Sequence, residues 1–325
     1  MDQENVRASF DGTLSKRFLV RLNELASRGR FGKIRTVNAS YIKLLGIISR
    51  LLEMPAYPLT LWGEEGSGKN LLAEEICSFS NLLSRLEGYE VKGYDRVDGR
   101  LAKIGFSEQL LLESSRSVVF EHVDALSKDM QKELLKYLIK RRDLIDAGQL
   151  VAHRVIFLTQ YSLSFKVLKK DFIRELFVFL NPTLLCVPTL NERIEDLPFI
   201  FSEILMDLTG HVGHIIDPAL IDHLETQIWG RNIDQLKKEI EHRLPMNSKE
   251  NRWTLEKWNL FFARSANIST GFQLGNLPDL TQNLRQRKQL QHALHKAGGN
   301  RDQAARLLGV SKPELLRALF SQGLR

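Results

Sequence analysis

A chain of 325 residues exceeds what one compact core usually organises, and with 43% hydrophobic and 26% charged side chains it has the composition of an ordinary folded protein, so two or three domains are expected. No apolar run reaches the roughly 20 residues of a membrane helix, and the start MDQENVRASFDG lacks the basic-then-apolar order of a secretory signal, so no membrane partner and a cytoplasmic location are expected. The net charge of +7 resides in Thr281–Arg325, where nine Lys or Arg face only Asp302 and Glu314, the footprint of a polyanion partner, most often nucleic acid, or of a solvated helix face.

In chain order, residues 1–33 read as a helical leader in which FLVRLNELASRG ends at glycine. From Ile34 to about Pro188, helical patterns alternate with short apolar strands, the order of a parallel-sheet core. Its first clear strand is Pro58–Trp62 (PLTLW), followed by Gly63, Glu64, Glu65, Gly66, Ser67, Gly68, Lys69 and Asn70 and then by the helical pattern LLAEEICSFSNLL. This is G-x-x-x-x-G-K between a strand and a helix, the context a P-loop needs: backbone N–H groups cradle phosphate while the helix N-terminus and Lys69 supply positive potential. The alternative is a turn kept for folding with no ligand. Asn70 stands where a Ser or Thr hydroxyl ordinarily reaches Mg²⁺, and an amide oxygen would ligate it with altered geometry.

The strand Ser117–Phe120 (SVVF) ends in Glu121 and His122, where a P-loop ATPase places an Asp for the metal and often a Glu for the attacking water. Glu121 is a methylene longer, and His122 is a makeshift base near neutral pH. Asp124 is assigned to the start of the next helix, DALSKDMQKELLKYLI, and Arg154–Thr159 (RVIFLT) to a further strand. Thr189 to about Ala266 reads as a helical lid, and Asn267–Asn283, rich in Gly, Pro, Ser, Thr and Asn, as linker. Cys77 and Cys186 lack partners at metal-ligand spacing and are read as small buried apolar residues; His211 and His214 are read as polar surface or lid residues, and Trp229 as packing the lid on the core. No catalytic residue and no metal ligand set is assigned.

The tail, residues 284–325, reads as three helices. Leu290, Ala293, Leu294 and Ala297 form one apolar face, which Gly298 and Gly299 end. Asn300 caps a short second helix to Leu308, Gly309 makes the turn, and Ser311 caps a third helix anchored by Leu315, Leu316 and Leu319. This is a helix-turn-helix, whose last helix enters the major groove of double-stranded DNA. Ser311, Lys312, Glu314 and Arg317 would face DNA, with Asn300 and Arg301 near its backbone. A three-helix packing or dimerisation module is the alternative. Such modules usually act in pairs on half-sites, so a homo-oligomer, dimer or larger, is expected.

The stretch AGGNRDQAARLLGVSKPELLRAL resembles the Fis-type helix-turn-helix of bacterial transcription factors. Preceded in order by the P-loop, SVVFEHVDALSKDMQKELLKYL, RVIFLT, VPTLNERIEDLPFIFSEIL and IWGRNIDQLKKEIEHRL, it makes the chain from about Ile34 resemble a sigma-54-dependent enhancer-binding activator. The resemblance implies an α/β fold: an AAA+ P-loop parallel sheet flanked by helices, a helical lid and a C-terminal three-helix domain. It implies ATP or ADP as the ligand of Gly63–Asn70 and Glu121, with Mg²⁺ lacking its usual partners. Several family residues are replaced. Tyr94–Ser115 holds no GAFTGA loop, the sensor after the fourth strand is Gln160, and the two finger arginines correspond to Ile173 and Phe179. Arg174 lies one position off, Arg193 and Arg231 are poor replacements, and the second-sensor Arg corresponds to Asp234. The implied function is a DNA-binding transcriptional regulator with a degenerate AAA+ module that binds nucleotide and hydrolyses it poorly or not at all. An ATP-hydrolysing sigma-54 activator and a protein-interaction scaffold are the alternatives, and an RNA polymerase contact is left open.

Overall fold

A computed structural model describes residues 13–54, 57–87, 93–101, 117–147, 154–247 and 251–259, together with residue 305. The chain divides into two compact units, Met1–Lys257 and Trp258–Arg325. The expected linker and helix-turn-helix, with Asn300, Arg301, Ser311, Lys312, Glu314 and Arg317, lie outside the described residues, as does most of the segment in which a GAFTGA loop was sought.

The first unit is built on five parallel strands, β3 (Leu59–Trp62), β4 (Tyr94–Asp98), β5 (Ser117–Glu121), β6 (Val155–Thr159) and β7 (Leu184–Cys186), in spatial order β4-β5-β6-β3-β7. The central strands read as continuous apolar runs because both faces are covered, and the two-residue alternation sorts their side chains. Leu59, Leu61, Val119, Ile156 and Leu158 join a core with helices α1 (Thr13–Ser27), α2 (Ala39–Leu51) and α3 (Lys69–Leu86). Val118, Phe120, Val155 and Phe157 point the other way, onto α4 (Lys128–Asp146), α5 (Leu163–Leu168) and α6 (Arg174–Leu180). Phe120 and Phe157 stack there with ring centroids 5.2 Å apart.

The leader forms the expected helix, α1, and Gly29 follows it with φ +71°. A Cβ at Gly29 would lie 1.9 Å from the Thr36 carbonyl oxygen, so the turn into the small hairpin β1 (Arg30–Phe31) and β2 (Ile34–Arg35) requires glycine. Beyond the sheet, α7 (Leu197–Thr209), α8 (Pro218–Glu225) and α9 (Asn232–Asn247) form the helical segment expected as a lid. Within it Trp229 is buried and its indole N–H donates to the Leu224 carbonyl at 3.1 Å. A two-stranded parallel ladder, β8 (Ile215–Ile216) with β9 (Arg252–Trp253), adds strand structure that helical periodicity concealed.

Two expectations need correction. Cys77 is buried, and burial pushes its thiol up to about 12, but Cys186 is exposed because it closes the short edge strand β7. Asp124 does not begin a helix: it sits in a 3₁₀ turn, Val123–Ala125, and α4 starts at Lys128 behind Ser127, whose hydroxyl caps Met130 N–H.

At the end of the sheet opposite the P-loop, Arg154 is only 1% exposed. Its guanidinium donates to the carbonyls of Leu51, Leu52, Met54 and Tyr57 at 3.0–3.2 Å, at and just beyond the C-terminus of α2, and to Ser80 Oγ at 3.3 Å. Burial lowers its pKa to about 9. Arg154→Met removes these five bonds and should cost about 3–5 kcal/mol, read as a lower urea midpoint. The exposed control Lys132→Met should stay within about 0.5 kcal/mol.

Candidate nucleotide site

The loop between β3 and α3 has the conformation that phosphate binding demands. Gly66 and Gly68 take φ +73° and +92°, in the left-handed region open to glycine. Their N–H groups have no hydrogen-bond partner among the described residues, nor has the Ser67 Oγ, although Ser67 is fully buried. Free loop N–H groups and an orphaned hydroxyl beside a helix N-terminus suit phosphate oxygens. Lys69 folds back on its own loop, donating to the Glu64 carbonyl at 3.1 Å. Burial lowers the Lys69 pKa, and the carboxylates of Glu65, Asp234, Asp124 and Glu121 oppose that shift. Gly63 N–H donates to the Thr159 carbonyl at 3.2 Å, tying the loop to β6, while Asn70 and Glu64 are exposed.

The lid holds the loop from the other side, and its key residue went unassigned in the sequence. Asn232 is fully buried with φ +52°. Its Nδ2 donates to the Glu65 carbonyl at 2.9 Å and to Glu64 Oε2 at 3.2 Å, while its Oδ1 accepts Leu190 N–H at 2.9 Å. The next residue, Ile233, donates its N–H to the Gly66 carbonyl at 3.0 Å. A Cβ at Gly66 would meet the Arg231 carbonyl oxygen at 2.4 Å and Asp234 Cγ at 3.1 Å, so this glycine is needed for the lid as well as for the turn. The signal for such a tie was the Gly230-Arg231-Asn232 run, since Gly and Asn mark left-handed turns.

Arg193 is no exposed finger. It is buried with its guanidinium over the Tyr41 ring at 4.3 Å, and Nη2 donates to the Ser67 carbonyl at 2.6 Å, bracing the loop from behind. Arg231 is exposed, 3.8 Å from Glu65. Ile173 and Phe179 pack against the second core. Asp234, in the first turn of α9, brings a carboxylate to Gly66 and has no ion-pair partner among the described residues.

The acidic residues beyond the loop are already engaged. Glu121, at the end of β5, pairs with Arg96 of β4, and the same guanidinium reaches Glu74 of α3. Asp124 Oδ1 accepts from the Thr159 hydroxyl at 3.1 Å and from Gln160 N–H at 3.4 Å. Its Oδ2 lies 3.4 Å from Lys166 Nζ, which also donates to the Asp124 carbonyl at 2.6 Å. Gln160 thus touches Asp124 through its backbone. His122 takes φ +51°. Nearby, the Arg100 guanidinium holds the Asp98 carboxyl down at about 2.

Sheet order, loop and lid together define a P-loop domain of the AAA+ class. The family model described as Sigma-54 interaction domain matches residues 46–190, and the model described as Bacterial regulatory protein, Fis family, matches residues 284–319. The chain thus carries a Sigma-54 interaction domain and a Fis-type helix-turn-helix domain, with homology to regulators of the ZraR and TyrR kind. It is 26% identical over 283 residues to the transcriptional regulatory protein ZraR of Escherichia coli K12, covering 79% of this chain and 62% of that protein. It is 26% identical over 230 residues to the HTH-type transcriptional regulatory protein TyrR of Haemophilus influenzae, covering 65% and 71%. Among solved structures it resembles NtrX from Brucella abortus at a TM-score of 0.57 and 19% identity, over 95% of this chain and 73% of that one, and NtrX in complex with ATP at 0.53 and 20%, over 96% and 73%. These likenesses bear out the AAA+ fold and the resemblance to sigma-54 regulators; at such identities the solved structures speak for the fold alone.

Asn232→Ala removes three hydrogen bonds and sets a residue less tolerant of φ +52° in the turn, which should cost about 2–4 kcal/mol. Calorimetry should show the melting of the first unit lowered by about 5–15 °C. Asn232→Gly, which relieves the backbone alone, should recover only a minor part.

Proposed function

We propose that this chain is a DNA-binding transcriptional regulator whose AAA+ domain binds ATP or ADP and hydrolyses it poorly or not at all, so that nucleotide acts as a ligand rather than as fuel. The observation that carries the reading is the contrast within one site. The phosphate-binding half is intact, with two left-handed glycines, free N–H groups and Lys69. The hydrolytic half is spent on other bonds: Glu121 pairs with Arg96, Asp124 with Lys166, and the finger positions Ile173 and Phe179 pack into a core. Loss of an arginine finger alone costs about 10³-fold or more in comparable phosphoryl-transfer enzymes. Gly63–Asn70 form the loop, while Glu121 flanks it without serving as a metal ligand.

The basic tail supports DNA as the partner. The Fis-family match falls on the module that carries the whole net charge, with Ser311, Lys312, Glu314 and Arg317 as the proposed reading positions and Asn300 and Arg301 at the backbone. The chain is proposed to act as a homo-oligomer in the cytoplasm, in keeping with paired half-sites. Its domains are proposed as leader 1–33, core 34–188, lid 189–266, linker 267–283 and helix-turn-helix 284–325. Among the described residues no helix is long and apolar enough to cross a membrane.

Selection of genomic fragments tests the DNA reading. The full chain should retain specific fragments with an affinity that falls about a hundredfold between roughly 50 and 200 mM salt, as for about four phosphate contacts, and a form ending at Asn267 should retain none. Equal retention by both forms contradicts the reading. For the AAA+ domain, phosphate release should be the same for the full chain and Lys69→Ala. A Lys69-dependent turnover on the order of 1 s⁻¹ favours an ATP-driven activator instead.

A further inference from the structure

We infer that the P-loop site takes its nucleotide without a divalent cation, because the chain's own Arg96 and Lys166 neutralise the carboxylates that would hold one. This rests on the nucleotide reading above and adds to it the ionic form of the ligand.

Three positions around a P-loop ordinarily meet Mg²⁺: the residue after the loop lysine, the acid at the end of the neighbouring strand, and an acid close to it. The first is Asn70, which offers an amide and no hydroxyl. The second, Glu121, is held by Arg96. The two strands run in parallel register, Arg96 beside Val119 and Asp98 beside Glu121, so Arg96 lies on the same sheet face as Glu121, two positions back. From there its fork spans Glu121 on β5 and Glu74 on α3, one guanidinium between two carboxylates. Burial pushes the Arg96 pKa down while Tyr94 and Glu121 push it up, and the net effect raises it, so Arg96 stays charged at any physiological pH. The third, Asp124, has its carboxylate only 3% exposed, with Thr159, the Gln160 N–H and Lys166 around it.

Mg²⁺ sheds water reluctantly and requires oxygen ligands in a near-octahedral shell. At Glu121 it would have to displace a cation that bridges to Glu74, and at Asp124 it would have to dislodge a lysine bond and two further donors. Either arrangement sets a doubly charged ion next to Arg96 or Lys166, with Lys69 also at hand. The carboxylates without such a partner, Asp234, the loosely paired Glu65 and Glu64, which accepts from the Asn232 amide, are exposed and lie on loop and lid residues. Among the described residues, no three His, Cys, Asp or Glu side chains form a cluster able to hold a metal ion. The site therefore does not fit the metal that its fold usually employs. Arg96 is a positioning residue here: it sets the charge of Glu121 and through that the metal requirement of the site.

The test is isothermal titration of the full chain with ADP, once in EDTA and once in millimolar MgCl₂, repeated for Arg96→Gln. The unaltered chain should bind ADP with dissociation constants that agree within about twofold in the two buffers, whereas R96Q, with Glu121 released, should bind at least about tenfold more tightly in MgCl₂. Tighter binding of the unaltered chain by tenfold or more in MgCl₂ overturns the inference while leaving the nucleotide reading in place. Indifference of R96Q to the metal, in a variant whose circular dichroism and melting match the unaltered chain, overturns the role given to Arg96. Absence of ADP binding in both buffers overturns the nucleotide reading and the inference with it. The comparison on the unaltered chain needs no variant, so a misfolded R96Q does not shield the claim.

Discussion

The structure of the site depends on one buried amide. Asn232 spends both ends of its side chain on backbone, taking the Leu190 N–H on one side and giving to the Glu65 carbonyl on the other. The Leu190 N–H is buried and would otherwise lack a partner, so the bond set is costly to lose. Through it the phosphate loop and the lid are held as one body, and Ile233 N–H to the Gly66 carbonyl extends the tie. Asp196 repeats the device a short way off. Fully buried, it accepts from the Thr36 hydroxyl at 2.6 Å and from Val37 N–H at 2.7 Å, fixing the chain that leads into α2 against the start of the lid.

Around that rigid frame the charges are balanced within the chain. Among the described residues Arg193 pairs with no carboxylate; it braces the Ser67 carbonyl and lies on the Tyr41 ring, as a cation supporting the loop from behind. Arg96 and Lys166 answer the two acids that a working hydrolase would offer to metal and water. Binding and hydrolysis are proposed to part company here on the strength of that contrast. Phosphate capture requires backbone geometry and one lysine, whereas hydrolysis requires free carboxylates and an arginine presented from outside.

Much of this was legible in the sequence because it is local. The loop from Gly63 to Asn70 announces itself by spacing, the strands at Leu59, Ser117 and Val155 by apolar runs between turns, and the replacements at Asn70, Gln160 and Asp234 by their place in an ordered series of motifs. What escaped depends on contacts across space. Arg96 meets Glu121 only because β4 and β5 pair in one particular register. Asp124 reads as a helix start by its neighbours, yet a left-handed His122 turns the chain so that the carboxylate faces Thr159. Cys186 looks like a core residue by type and lies exposed because its strand is short and at the sheet edge. Asn232 carried a turn signal, but the partner of that turn, far back in the chain at Glu65, left no mark in the local pattern.

The claim at the centre of this account is that nucleotide remains a ligand here. It is tested most directly by incubating the full chain with a slight excess of ATP, removing free nucleotide, and identifying by mass what the protein retains. The account predicts that the recovered nucleotide is ATP, intact after many binding lifetimes, with no phosphate accumulating in the solution. Recovery of ADP with matching release of phosphate, abolished by Lys69→Ala, would contradict it.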